Sequence, residues 1–206
     1  MTRIILVRHG QTMWNKVERI RGQVDIPLNE MGLAQAEATG QRIAAEWTLA
    51  AIYCSPLQRA VQTAEAIARH QLNLTPQACE GINDLNFGVW QGLEPQAVEK
   101  EWPEMARTWL TDPHQVAFPQ GESLDRLRTR AMNALYQIID AHPGQDVAVV
   151  AHTVVNRVIL LAMLQLDNSH YWRIGQDTCA INVARWQHDA FYIDAVNDTC
   201  HLRALS

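Results

Sequence analysis

The 206-residue sequence has no excess of positive charge: 17 lysines and arginines stand against 22 aspartates and glutamates, a formal net charge of −5. A field of that sign repels nucleic acid and anionic membrane surfaces, so neither is expected as a partner. No apolar run approaches the ~20 residues that span a bilayer. The opening run, Ile4 to Val7, is too short for the core of a secretory signal. Cysteines number four, and Cys54, Cys79, Cys179 and Cys200 show no Cys-x-x-Cys spacing. Buried free thiols are therefore expected, not a zinc site. Internal repeats, low-complexity tracts and linker-like stretches are missing as well. What remains is a soluble, cytoplasmic globular chain. Hydrophobic residues make up 48% and charged residues 19%, enough to build a core without disulfides or metals.

The apolar periods that are present alternate between strand and helix. Ile4 to Val7 reads as a strand covered on both faces. A helix pattern follows over 31–47, then a strand from Ala51 to Cys54. Pro56 is expected to open the next helix, with Ser55 as its N-cap and Leu57, Ala60, Val61, Ala64, Ile67 and Ala68 on one stripe. A short strand over 74–78 precedes an irregular stretch, 82–121, rich in Trp, Pro, Glu and Gln. A long helix starts after Gly121-Glu122-Ser123 and ends at His142-Pro143-Gly144. Asp146 to Ala151 is the clearest buried strand, followed by a helix from Thr153 to about Leu164. Residues 179–187 and 190–197 read as an edge hairpin. This order implies an α/β fold with a mainly parallel central sheet and helices on both faces. Residues 1–206 form one domain, with 82–121 as a small cap over one edge of the sheet.

In such sheets the ligand crevice lies beyond the carboxyl ends of the strands. The first strand ends in Arg8-His9-Gly10, and the clearest buried strand ends in His152-Thr153. The strand between them leads to Arg59 on the first turn of a helix. Taken singly these residues have ordinary explanations: a hydrogen-bonded strand-end histidine, a solvated arginine, a chance tripeptide. Their convergence does not. Two guanidiniums beside two imidazoles make an anion hole suited to phosphate, and a histidine among them can act as a nucleophile. No Gly-x-Gly-x-x-Gly or Walker loop competes for that role, and no carboxylate cage suggests a metal.

Leu6-Val7-Arg8-His9-Gly10-Gln11-Thr12, with Trp14-Asn15, resembles the opening signature of the histidine phosphatase superfamily, the phosphoglycerate mutase-like proteins. Ser55-Pro56-Leu57-Gln58-Arg59-Ala60 is similar to its second signature. Phe87-Gly88-x-Trp90-x-Gly92, Gly121-Glu122-Ser123 and Val150-Ala151-His152 resemble its third, fourth and fifth, in the family's order. The resemblance implies a metal-independent, cofactor-free phosphomonoester hydrolase in which His9 carries the phosphoryl group. Arg8, Arg59 and His152 would then neutralise the phosphate, Asn15 would donate to it, and Gly10 would let the backbone come close. The proton donor falls on Asp84, three residues before Phe87, where the family normally has glutamate. Two neighbouring arginines should lower its pKa, against an acid role, unless burial compensates.

Within the superfamily the chain resembles the metal-independent phosphoserine phosphatases, in the segment from Asp112 to Leu124, in Thr153, and in Thr199-Cys200-His201-Leu202. That implies a small phosphorylated substrate, phosphoserine foremost. That group places a histidine on the substrate carboxylate, where this chain has Phe87. Arg21, beside Gly22 in the loop after the first signature, and His201, in a tail folding back over the substrate, are the expected replacements. The alternatives are mutase-type phosphoryl transfer, a broad-specificity phosphatase, and an inactive phosphate-binding module. Trp90, Trp102 and Trp109 are open to lining the pocket, packing the cap or forming an interface such as that of a homodimer.

Overall fold

The computed structural model describes residues 1–17 and 19–205. Chain order begins with β1 (Thr2–Arg8), a short helix α1 (Met13–Lys16), α2 (Glu30–Glu46), β2 (Leu49–Cys54) and α3 (Gln58–Ala68). A two-residue strand, β3 (Gln77–Ala78), leads through 3-10 turns to α4 (Pro95–Glu101) and α5 (Pro103–Thr111). Then come α6 (Leu124–Ala141), β4 (Asp146–Ala151), α7 (Thr153–Met163), β5 (Ile181–Gln187) and β6 (Ala190–Asp198). Short 3-10 segments at Asn168–Arg173 and Cys200–Leu205 flank the last two strands.

The six strands lie in the order β3-β2-β4-β1-β5-β6. The first four run parallel, and β5 and β6 are antiparallel to their neighbours. Alternation along β1 and β4 explains the three layers. Ile4, Leu6, Val147, Val149 and Ala151 face a core shared with α6 and α7. Ile5, Val7, Ala148 and Val150 face one shared with α2 and α3. Every one of these residues is buried, so these strands have no polar face and read as unbroken apolar runs. Among the described residues no helix is long and apolar enough to cross a membrane.

Several expectations change. The helix expected to open at Pro56 begins at Gln58 with Leu57 as its cap. The Ser55 hydroxyl instead accepts a long, 3.4 Å bond from the Leu57 N–H, because Pro56 and Leu57 stay non-helical. The strand expected over 74–78 shrinks to Gln77–Ala78. The edge hairpin forms as expected, with β5 beside β1 and β6 as the outer strand. The segment 82–121 does not hang over an edge. Its Ile82, Leu85, Phe87, Trp90, Val98, Val116 and Phe118 pack into the α6–α7 core. Helix α5, by contrast, has no buried residue. Helix α6 starts where expected: the Ser123 hydroxyl accepts from the Arg126 N–H at 3.3 Å, a cap worth roughly 1 kcal/mol.

Candidate active site

Backbone bonds draw the ends of β1, β2 and β4 to one place. The His9 N–H donates to the Ala151 carbonyl at 3.0 Å, and the Ser55 N–H to that of Val150 at 3.0 Å. From the far side the Cys179 N–H reaches the His9 carbonyl at 3.3 Å, with Cys179 held at a left-handed φ of 55°. His9 and His152 are each 1% exposed, Arg59 is 0% and Asp84 5%. The two imidazole rings lie 5.1 Å apart and tilted.

The His9 Nδ1 stands 2.7 Å from the Gly10 carbonyl oxygen. A carbonyl can only accept, so the proton sits on Nδ1 and the lone pair is on Nε2. Burial, with Arg59, Arg8 and Arg21 nearby, holds His9 well below the ordinary histidine pKa. Burial and the same cations do likewise to His152. Both rings are therefore neutral at pH 7, and among the described residues neither nitrogen of His152 has a hydrogen-bond partner.

Each cation is aimed by main-chain oxygens. Arg59 donates to the carbonyls of Val24 (2.8 Å) and Gly22 (2.6 Å), and to Asp84 Oδ2 at 3.0 Å. Gly22 takes a φ of +51°, and a Cβ there would meet the Gln91 side chain. Arg8 donates to the Gln176 carbonyl at 2.5 Å, and Gln176 is itself fixed by buried Asn156 and Asn182. Burial, then Arg21, brings the Arg8 pKa down to about 10. It stays charged. Among the described residues the buried Nε atoms of Arg8 and Arg59 have no partner. Buried donors and imidazole nitrogens left unpaired beside one cavity suit the binding of an anion.

Asp84 Oδ2 lies 3.0 Å from Arg59 and 3.5 Å from His152 Nδ1. Burial raises its pKa and outweighs the opposing pull of Arg59, the Leu85 N–H and Arg21. Burial thus acts in the sense that an acid role needs. A guanidinium behind the loop fixes this carboxyl. Arg130, paired with Glu122 at 2.7 Å, donates to the carbonyls of Gly81, Asn83 and Asp84.

The cavity over these groups is about 320 Å³ and is lined by His9, Asn15, Arg21, Gly22, Asp84 and Thr153, among others. Asn15 Oδ1 is taken by the Thr12 N–H and hydroxyl, leaving its amide NH₂ to offer a ligand. Thr153 and Val154 bring in the first turn of α7, whose free N–H groups favour an anion. Phe87 and Trp109 add an apolar wall, and Trp109 also packs on Phe118. Trp90, in contrast, is core.

Packing on α2 also requires Gly10 to be glycine, since a Cβ would stand 2.5 Å from the Gly32 carbonyl oxygen. One expectation fails. His201 is outside the cavity. Its tail packs on α2, where Nε2 donates to the Thr39 hydroxyl at 3.0 Å, because that hydroxyl spends its own proton on the Gln35 carbonyl. Sequence reasoning missed Arg157, Tyr171 and Trp172, which line the same cavity. Arg157, the one charged residue of the Thr153–Met163 stretch, was the available signal.

A sequence model of the histidine phosphatase superfamily (branch 1) matches residues 4–199. The chain belongs to that superfamily. It is 37% identical over 202 residues to phosphoserine phosphatase 1 of Hydrogenobacter thermophilus, covering 98% of this chain and 95% of the relative. It is 36% identical over 209 residues to the metal-independent phosphoserine phosphatase of Arabidopsis thaliana, covering 100% and 85%. Among solved structures, Bacillus stearothermophilus YhfR superposes with a TM-score of 0.93 at 29% identity, over 98% of this chain and 100% of that one. A mutant phosphoserine phosphatase of Entamoeba histolytica, in complex with phosphoserine, gives 0.86 at 25% identity, over 98% and 100%. With its superfamily, its fold and these relatives, the chain is a phosphatase.

Proposed function

We propose that the chain hydrolyses small phosphorylated acids, phosphoserine foremost, through a phosphohistidine on His9. The observation that carries this is the His9 Nδ1 contact with the Gly10 carbonyl, which leaves a neutral Nε2 lone pair in a hole of guanidiniums. Nε2 attacks phosphorus and the ester oxygen leaves. Asp84, whose pKa burial raises, gives that oxygen its proton. The resulting carboxylate then takes a proton from the water that attacks the phosphohistidine, and inorganic phosphate departs. Arg8, Arg59, His152, the Asn15 amide and the α7 N-terminus hold the phosphoryl oxygens, each such donor worth roughly 2.7–4 kcal/mol of barrier.

Guanidiniums supply the positive charge that a metal supplies elsewhere, so no cofactor enters. Arg21, at the cavity wall, is the cation for a substrate carboxylate. A hydrolase is favoured over a mutase because, of three relatives above 35% identity, the two matched over 98% and 100% of this chain are named phosphoserine phosphatases, while the third, named phosphoglycerate mutase-like, matches over 72%. The four free cysteines fit a reducing compartment such as the cytoplasm.

The test is a rapid quench with labelled phosphoserine in excess chelator. An acid-labile phosphoryl adduct should form on the wild type and be missing from His9→Ala, which should lose turnover but keep its unfolding midpoint. Undiminished turnover in His9→Ala, or a strict requirement for Mg²⁺, overturns the reading.

A further inference from the structure

We propose that Arg157, with Arg21, forms a second anion subsite that reads the carboxylate of the substrate. The inference rests on the hydrolase reading above and adds the residue that selects phosphorylated 2-hydroxy and 2-amino acids among phosphomonoesters.

Helix geometry puts Arg157 in the right place. Thr153 and Arg157 are four apart on α7, so they share one face, and both line the cavity. A long helical side chain leans towards the N-terminus of its helix, here towards the phosphate hole. The guanidinium is not left to wander. Its Nε donates to the Ile174 carbonyl at 2.7 Å, and its carbon lies 4.9 Å from the Tyr171 ring centre and 5.0 Å from that of Trp172. A stacked, tethered fork is pre-organised for bidentate recognition of a planar anion.

Charge says what that anion is. Arg19 is matched by Glu94, whereas Arg59 donates to Asp84, which holds the proton for the leaving oxygen and so cancels no charge. Arg8, Arg21 and Arg157 make no ion pair with any described residue, although all three stand at or beside the cavity. With Arg59 these are four charges, of which a phosphate dianion answers two. The excess calls for a further negative group on the same ligand. Asp84 is the one carboxyl group among the described residues lining the cavity, and it holds the proton for the leaving oxygen. An ammonium therefore finds no counter-charge there, and the subsite reads the carboxylate while ignoring the amine.

Three substrates isolate each group: phosphoserine, 3-phosphoglycerate, which has no amine, and phosphoethanolamine, which has no carboxylate. In the wild type the two acids should be turned over with similar kcat/KM, both above phosphoethanolamine. Arg157→Ala should lower kcat/KM for both acids about 10- to 150-fold, mostly through KM, and leave phosphoethanolamine within about threefold. Arg157→Lys, which keeps the charge and loses the fork, should recover part of the loss; it also serves if the alanine variant does not fold. Equal loss on all three substrates would make Arg157 a mere strut between α7 and Ile174. A wild type that prefers phosphoethanolamine would remove the carboxylate subsite and leave the phosphatase standing. A wild type inactive on all three but active on other phosphomonoesters would overturn the choice of substrate class above.

Discussion

Replacing Asp84 by asparagine separates the chemistry of that carboxyl from its place in the structure. Removing the side chain altogether would strand the buried Arg59 guanidinium, at a cost of about 3–5 kcal/mol. Asparagine keeps one oxygen, which can stand 3.0 Å from Arg59 in place of Oδ2, while its NH₂ replaces the Oδ1 that accepts from the Leu85 N–H at 2.9 Å. The fold should survive the loss of that one bond, at a cost of about 1–3 kcal/mol. What it cannot do is release a proton. A serine alkoxide is a poor leaving group and needs that proton in the transition state, whereas p-nitrophenolate does not. General acid catalysis contributes about 10²- to 10⁴-fold. Asp84→Asn should therefore lose that factor on phosphoserine and less than about threefold on p-nitrophenyl phosphate. The pH profile carries the same information with a defined sign. Burial raises the Asp84 pKa, so the acid form prevails below that raised value and vanishes as pH rises through it. Wild-type kcat/KM for phosphoserine should show that alkaline limb; Asp84→Asn should lack it. On the acid side His9 is already neutral, because its pKa is depressed, so activity should persist below pH 6.5. Equal losses on the two substrates, or an alkaline limb that outlives the substitution, would refute proton donation by Asp84.

Two further outcomes test the scaffold. His152 has its folded pKa depressed by burial, so it contributes stability above the unfolded value of ~6.5 that is lost as pH falls; between about pH 7.5 and about 5.5 that loss is about 1.4 kcal/mol. In urea titrations followed by tryptophan fluorescence, His152→Asn should lose that much less than the wild type, and identical losses would mean that His152 titrates as in water. Gly32→Ala would place a Cβ 2.0 Å from the Gln11 carbonyl oxygen. Overpacking at a backbone contact should cost about 1–3 kcal/mol in the same titration, and kcat should fall as the Gly10 carbonyl leaves His9. An unchanged midpoint would show that the loop simply moves away.

Legibility in the sequence followed from how local each cause is. Continuous apolar runs in β1 and β4 report burial on both faces, and residues at their ends inherit the crevice from topology. Hence His9, Arg8 and His152 were visible. Asp84 was found by its spacing from Phe87, but the direction of its pKa depends on burial by distant elements and needed coordinates. Ser55 misled because a cap residue before proline looks like a helix start, whatever the backbone then does. His201 misled more. Its partner, Thr39, lies 162 positions away, and no local pattern announces it. Arg157 was overlooked because its ring contacts come from Tyr171 and Trp172, beyond the end of its own helix.

The grip of Arg130 on the loop that carries Asp84 has a consequence for how such an enzyme can change over generations. That guanidinium holds carbonyl oxygens, those of Gly81, Asn83 and Asp84, and every amino acid supplies a carbonyl oxygen. The mooring is therefore blind to the side chain it carries. A lineage can exchange aspartate for glutamate at position 84, or trade the acid away and regain it, while the loop stays where Arg130 and Glu122 put it. Innovation is confined to the few ångströms inside the cavity. Leaving-group preference can drift by single substitutions, with the rest of the chain as a fixed inheritance.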